Sequence, residues 1–122
     1  MILRKAIVIG ATSGIGRALA ILLAEDGYHV GITGRREELL TELQDGMPGK
    51  FIPAAFDVSS PDAAERTERL IADLDGLDLL IYCSGTGDEN PGLDIGIEDR
   101  TNTVNVESFT RIVTLAYRHF AA

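Results

Sequence analysis

Three glycines in Gly10-Ala11-Thr12-Ser13-Gly14-Ile15-Gly16 follow an apolar run, Ala6-Ile7-Val8-Ile9, and precede residues at helical spacing. A turn from strand to helix gathers backbone N–H groups at the positive end of a helix dipole, which suits it to a pyrophosphate. Gly10 permits the tight bend, Gly14 lets the backbone approach phosphates with no Cβ in the way, and Gly16 allows close packing of helix on strand. The bland alternative is a merely tight turn. It loses ground because the triplet sits between an apolar strand and an amphipathic helix, inside a βαβ unit. Gly10, Thr12, Ser13, Gly14, Ile15 and Gly16 are therefore candidate residues of a dinucleotide site.

In such a fold the end of the second strand meets the adenosine ribose, where a carboxylate accepts from the 2'-hydroxyl of NAD and repels the 2'-phosphate of NADP. Here that stretch reads Thr33-Gly34-Arg35-Arg36. Gly34 occupies the expected acidic position, and Arg35 follows with a planar fork suited to a phosphate of charge about -1.5 to -2. NADP is favoured over NAD. The competing reading is that both arginines merely begin a solvated helix, where their charge opposes the dipole. The missing carboxylate is the firmer half of the inference.

The elements that must hold these residues alternate along the chain. Tyr28 to Thr33 reads as a second strand, Glu37 to Leu43 as a helix and Lys50 to Phe56 as a third strand. Ile15, Leu19, Leu22 and Leu23 mark the apolar face of the first helix, which Gly27 stops. Ser60 is expected as an N-cap, with Pro61 opening a helix through Leu74. Asp78 to Cys83 reads as a fourth strand, Thr86 to Gly96 as an acidic loop, and Ile97 to Phe120 as a long helix with a possible break near Asn102. The alternation predicts an α/β fold: one Rossmann-type, doubly wound parallel sheet in the order 3-2-1-4, with residues 1–122 as one nucleotide-binding domain.

With 122 residues the chain suits one core rather than two. Its 45% hydrophobic and 25% charged content is that of a globular protein, and no stretch approaches a membrane span. A net charge of -8 argues against a nucleic-acid partner, so an anionic ligand must be held locally. A lone cysteine, Cys83, forms no internal disulfide, and no signal peptide is legible, which makes the cytoplasm the expected location. Cys83 reads as a small hydrophobe near the cofactor more readily than as a reactive thiol. His29 and His119 lack companions at metal-ligand spacing, and no metal is expected. Asp88, Glu89, Asp94, Glu98 and Asp99 read mostly as solvated charges.

Gly10, Gly14 and Gly16, continuing as Ile15-Gly16-Arg17-Ala18, resemble the signature of the short-chain dehydrogenase/reductase family, and the resemblance spans Ile7 to about Phe120. Asp57-Val58 resembles the family's adenine-contacting Asp and its neighbour. Ser84-Gly85 resembles the end of the Asn-Asn-Ala-Gly motif, with Cys83 beside it, and Asn105 in Val104-Asn105-Val106 resembles the catalytic helix Asn. Two departures stand out: Ile9 replaces the usual Thr, and Tyr82-Cys83 replace two Asn, which removes local hydrogen-bonding groups.

The resemblance implies hydride transfer between NADP(H) and a small carbonyl or alcohol substrate, in a homo-oligomer. Of the family's Ser, Tyr, Lys and Asn, only Asn105 is matched; Tyr117 is followed four residues later by Ala121, so no Tyr-x-x-x-Lys is formed. Without it, acid/base assistance of roughly 100- to 10,000-fold is missing, and this chain alone is expected to be inactive. The fourth strand, apolar from Leu79 to Tyr82 and guarded only by Asp78, reads as an edge that a further strand would cover. The chain thus reads as the N-terminal half of a longer enzyme. The alternative is a non-catalytic NADP(H)-binding or interaction module.

Overall fold

In the computed structural model, residues 3–84 and 91–122 are described, with backbone alone at 103 and 104. Strands β1 (Lys5–Ile9), β2 (His29–Gly34), β3 (Phe51–Ala55) and β4 (Leu79–Tyr82) form one parallel sheet in the order β3-β2-β1-β4. Helices α1 (Gly14–Glu25), α2 (Glu37–Gly46) and α3 (Ala63–Leu74) alternate with the strands, and α4 (Ile95–Asn102), a π-helical turn (Thr103–Glu107) and α5 (Ser108–Ala121) follow. The doubly wound architecture and strand order read from the sequence are those observed.

The central strands are apolar because both faces of the sheet are covered. Val8, Val30 and Ile32 point into a cluster with Ala20, Ala24, Leu40 and Leu43 of α1 and α2. Ile7 and Ile9 point the other way, into a cluster with Leu70, Ile71 and Leu74 of α3 and Ile112 and Ala116 of α5. Helix α3 comes very near the sheet at Gly31, where an added Cβ would lie 2.9 Å from Leu70 Cδ2 and 3.1 Å from Ile7 Cγ1.

Several local expectations are corrected. Helix α1 buries its small residues Gly16, Ala20 and Ala24, whereas Ile15 is 75% and Leu22 60% exposed. The sheet contact selects the residues that permit close approach rather than the largest ones. Ser60 does not cap α3: its hydroxyl lies 2.7 Å from both the Asp57 carbonyl oxygen and Asp62 Oδ1, sharing its one proton between them in a turn before the helix starts at Ala63. The interruption near Asn102, left open by the sequence, is present as the π-helical turn after α4, and the start is corrected from Ile97 to Ile95.

Asp94 accepts from the N–H groups of Gly96 (2.7 Å) and Ile97 (3.2 Å), so it caps α4 rather than being merely solvated. Asp88 and Glu89 lie outside the described residues. Asp78, read as the guard of the β4 edge, stays exposed but is bonded toward β1 instead: its Oδ2 accepts from the Lys5 N–H (2.8 Å), and its own N–H donates to the Lys5 carbonyl (2.8 Å). The edge of β4 is therefore less protected than its sequence suggests.

Leu70 is 2% exposed and wedged over Gly31. Leu70→Ala is expected to destabilise the chain by about 3 kcal/mol, read as a lower urea midpoint; a loss below about 1 kcal/mol would show that α3 is not held by this contact.

Candidate cofactor site

The parallel register brings the four strand ends to one edge. Ile9 is level with Thr33 of β2 and Tyr82 of β4, while Gly34 is level with Ala55 of β3. Gly10, Arg35, Asp57 and Ser84, each just beyond a strand, therefore emerge on that same edge. The chain moves from β1 toward β2 and β3 on one side and toward β4 on the other, and such a reversal opens a crevice at the carboxyl ends.

Each glycine of the turn answers to a distinct constraint. Gly10 has φ +88°, and an added Cβ would stand 2.7 Å from Ser84 Oγ and 2.9 Å from Ser84 N. At Gly16 a Cβ would fall 1.8 Å from the Gly10 carbonyl oxygen, which no side-chain adjustment relieves. Gly14 has φ +59° and nothing within 4 Å of where its Cβ would be, so its outer face is open. Ser13 is the N-cap of α1 but its side chain makes no capping hydrogen bond, which leaves the first N–H groups of the helix directed outward.

Thr33 anchors the turn. Its carbonyl accepts from Gly10 N (3.2 Å) and Ala11 N (2.8 Å), and its hydroxyl lies 3.3 Å from Gly10 N. This buried Thr on β2 supplies a hydroxyl beside Gly10, where the departure at Ile9 removes one. The sequence reading passed it over, although a β-branched residue with a hydroxyl at a strand end was the available signal. The fourth strand is tied in by Cys83 N donating to the Ile9 carbonyl (2.7 Å).

The two residues standing in place of Asn face opposite ways. Tyr82 packs on the α3 and α5 side, its ring edge-on to Phe109 with centroids 5.2 Å apart, and burial pushes its hydroxyl pKa up. Cys83 turns toward α1, its Cβ 3.2 Å from where a Gly16 Cβ would lie, and burial raises its thiol pKa, which keeps it protonated. The Phe109 contact fixes the start of α5 at the carboxyl end of β4. Asn105, one turn earlier in the π-helical turn, is exposed near that end. Gly85 lies outside the described residues.

Asp57 follows β3. Its Oδ1 accepts from Ser59 N (2.9 Å) and Ser59 Oγ (2.7 Å), and these bonds, with the charge of Arg35 nearby, hold its carboxyl below the ordinary value. Val58 is buried in the α3 and α5 cluster, so only its backbone is available to a ligand. Arg66, also missed in the sequence, donates to the Ala55 carbonyl (3.1 Å) and lies over the Phe56 ring, bracing the end of β3. Arg35 is exposed one residue before Arg36, the N-cap of α2, and it takes no part in the ion pairs of the described residues. An open helix N-terminus with a neighbouring uncommitted guanidinium fits a phosphorylated dinucleotide. Among the described residues no group of three or more His, Cys, Asp or Glu could hold a metal ion.

The turn separates stability from binding. Gly16→Ala is expected to cost about 3 kcal/mol of stability, because a backbone oxygen blocks the methyl. Gly14→Ala should cost about 1 kcal/mol through its positive φ, yet weaken dinucleotide binding more than tenfold. Thermal unfolding and fluorescence titration separate the two effects; equal stability losses would contradict the assignment. Asp57 titrates lower in the folded than in the unfolded chain, so its contribution is present above about pH 3.8 and fades as pH falls through its lowered value. The Tm difference between the parent and Asp57→Asn should therefore be present at pH 7 and shrink below pH 3.8. A difference that is constant with pH would contradict this.

The model of the short chain dehydrogenase family matches residues 4–122. Glucose 1-dehydrogenase of Gluconobacter oxydans is 35% identical over 101 residues, covering 79% of this chain and 38% of that protein. A Haemophilus influenzae protein named "Probable NADP-dependent dehydrogenase" is 35% identical over 94 residues, covering 76% of this chain and 34% of its own. The crystal structure of glucose dehydrogenase of Caenorhabditis elegans in the apo form superposes with a TM-score of 0.82 at 28% identity, over 95% of this chain and 49% of that one. The chain thus spans about a third to a half of the length of these proteins. Sequence, strand order and glycine turn agree: the chain belongs to the short chain dehydrogenase family of oxidoreductases.

Proposed function

We propose that residues 1–122 form the nucleotide-binding domain of an NADP-dependent oxidoreductase that moves hydride between NADP(H) and a carbonyl or alcohol. The observation that carries the cofactor choice is the end of β2: Gly34 offers no carboxylate, and the exposed, uncommitted Arg35 follows it. The Haemophilus influenzae relative bears NADP dependence in its name, which is in keeping with this choice. Bound NADPH would supply the hydride.

This chain's own residues would bind and orient the cofactor. The first N–H groups of α1, over the open face of Gly14, receive the pyrophosphate. Thr12, Ser13 and Ile15 line the turn, and Arg35 would hold the 2'-phosphate with its guanidinium. Asp57, with Oδ1 held by Ser59, would have Oδ2 free to accept from the adenine amino group, with Val58 contributing through its backbone. Cys83 and Ser84 border the turn from the β4 side, Gly85 is the next residue in the sequence proposed for the site, and Asn105 would contribute to the catalytic constellation from the π-helical turn. A Ser and a Tyr-x-x-x-Lys outside these 122 residues complete it, and without them the chain does not turn over.

The exposed aromatic residues of α5, Phe109, Tyr117 and Phe120, suit a homo-oligomer contact. A cytoplasmic location goes with the lone cysteine, Cys83. One observation favours a second reading, a module that binds NADP(H) without turnover: Asn105 is the sole match to the catalytic set within the sequence. The coding sequence after Ala122 decides between the two, with a downstream Ser and Tyr-x-x-x-Lys expected for the enzyme.

In fluorescence titrations NADPH should bind more tightly than NADH. Arg35→Ala should raise the Kd for NADPH by about tenfold or more, the worth of a charged hydrogen bond, and change that for NADH by no more than about twofold. Equal affinities in the parent, or an unchanged NADPH affinity in Arg35→Ala, would rule the cofactor assignment out.

A further inference from the structure

The end of β2 carries no side chain because another residue fills the space. A Cβ on Gly34 would stand 2.3 Å from Thr12 Cγ2, and 3.5 Å from both Thr12 Cβ and Thr12 Oγ1. The two longer distances are ordinary van der Waals contacts, so the methyl group is the obstruction. Backbone conformation does not bar a side chain here, since Gly34 is absent from the residues with positive φ. Thr12 is also poorly placed to retreat. It follows Gly10 and Ala11, whose N–H groups are bonded to the Thr33 carbonyl at 3.2 and 2.8 Å, directly before Gly34 in the chain. Its β-branched side chain has few rotamers to choose from.

We infer that the Thr12 methyl group is a specificity determinant of the cofactor site: it keeps position 34 free of any side chain, carboxylates included, and so leaves the adenosine 2'-position to Arg35. The inference rests on the NADP reading and adds to it the cause of the missing carboxylate. Position 34 cannot acquire an NAD-selecting acid by itself. Thr12 must lose its methyl at the same time, so the phosphate turn and the end of β2 are coupled in cofactor choice.

A double-mutant cycle tests this on the chain, with steric and cofactor effects read separately. Gly34→Ala should lower Tm by about 5 °C, and Thr12→Ser, which removes the methyl and keeps the hydroxyl, should recover most of that loss in the double variant. Gly34→Asp alone should lose NADPH binding without gaining NADH. Thr12→Ser with Gly34→Asp should bind NADH about tenfold more tightly than Gly34→Asp alone, the worth of a hydrogen bond to a carboxylate. If Gly34→Ala is as stable as the parent, Thr12 simply rotates away and the inference is overturned. Additive effects of the paired substitutions on Tm or on NADH binding overturn it too. A parent that binds NADPH and NADH alike overturns the cofactor reading beneath it, whether or not the Tm values couple.

Discussion

The approach of α1 to β1, close enough that a methyl at Gly16 would fall 1.8 Å from the Gly10 carbonyl oxygen, sets the geometry of everything at the carboxyl edge of the sheet. Helices ordinarily stand off a sheet by the length of their side chains. Here the contact stripe is Gly16, Ala20 and Ala24, so the helix axis sinks toward the strands and its first turn sits directly over the end of β1. The same closeness leaves no room for larger residues on that face and pushes Ile15 and Leu22 outward. It also places Cys83 against Gly16 and Ser84 against Gly10, so β4 ends at the turn as well.

A turn this tight needs its backbone groups satisfied, and the neighbouring strand does that. Thr33 takes the N–H groups of Gly10 and Ala11, which binds the turn after β1 to the end of β2. The residue that follows Thr33 is Gly34, and the next is Arg35. A single carbonyl therefore links the group that would hold the pyrophosphate to the group that would hold the 2'-position. A shift of either strand end would move both, which makes the register between β1 and β2 a requirement for the site and not only for the sheet.

Much of this was legible because the strongest signals were local. Apolar β-branched runs with glycine stops gave the strands, and their alternation with helical spacing gave the parallel order. The glycine triplet was readable in its individual roles because each role is a matter of missing Cβ atoms. What the sequence hid was relational. Which face of α1 packs inward depends on the depth of the helix, and a periodicity that counts large apolar residues picks Ile15 and Leu22 over Ala20. The turn at Ser60 and the cap at Asp94 depend on which of several nearby N–H and C=O groups a short polar side chain reaches first. Thr33 and Arg66 act on backbone groups of other elements, and nothing in their own sequence neighbourhood marks such a partner, whereas Ser59 binds Asp57 two residues before it, a local Asp-x-Ser signal that was available.

A chain of net charge -8 that holds a polyanion looks contradictory only if charge acts at long range. At physiological ionic strength fields between exposed groups are screened beyond about 8 Å, so the net charge of the whole chain says little about the potential at the glycine turn. Within that radius the balance differs. The open N-terminus of α1 supplies the equivalent of about half a positive charge, and Arg35 a full one outside the ion pairs of its surroundings. Asp57 is an acid that feels the charge of Arg35, and two hydrogen bonds from Ser59 already hold the Oδ1 of its carboxylate. Ser59 thus fixes Asp57 in its own turn rather than letting it close on the guanidinium. In the NADP reading proposed above, such an arrangement would keep Arg35 available to a phosphate and the free Asp57 carboxylate oxygen available to an amino group, both from one short turn after β3.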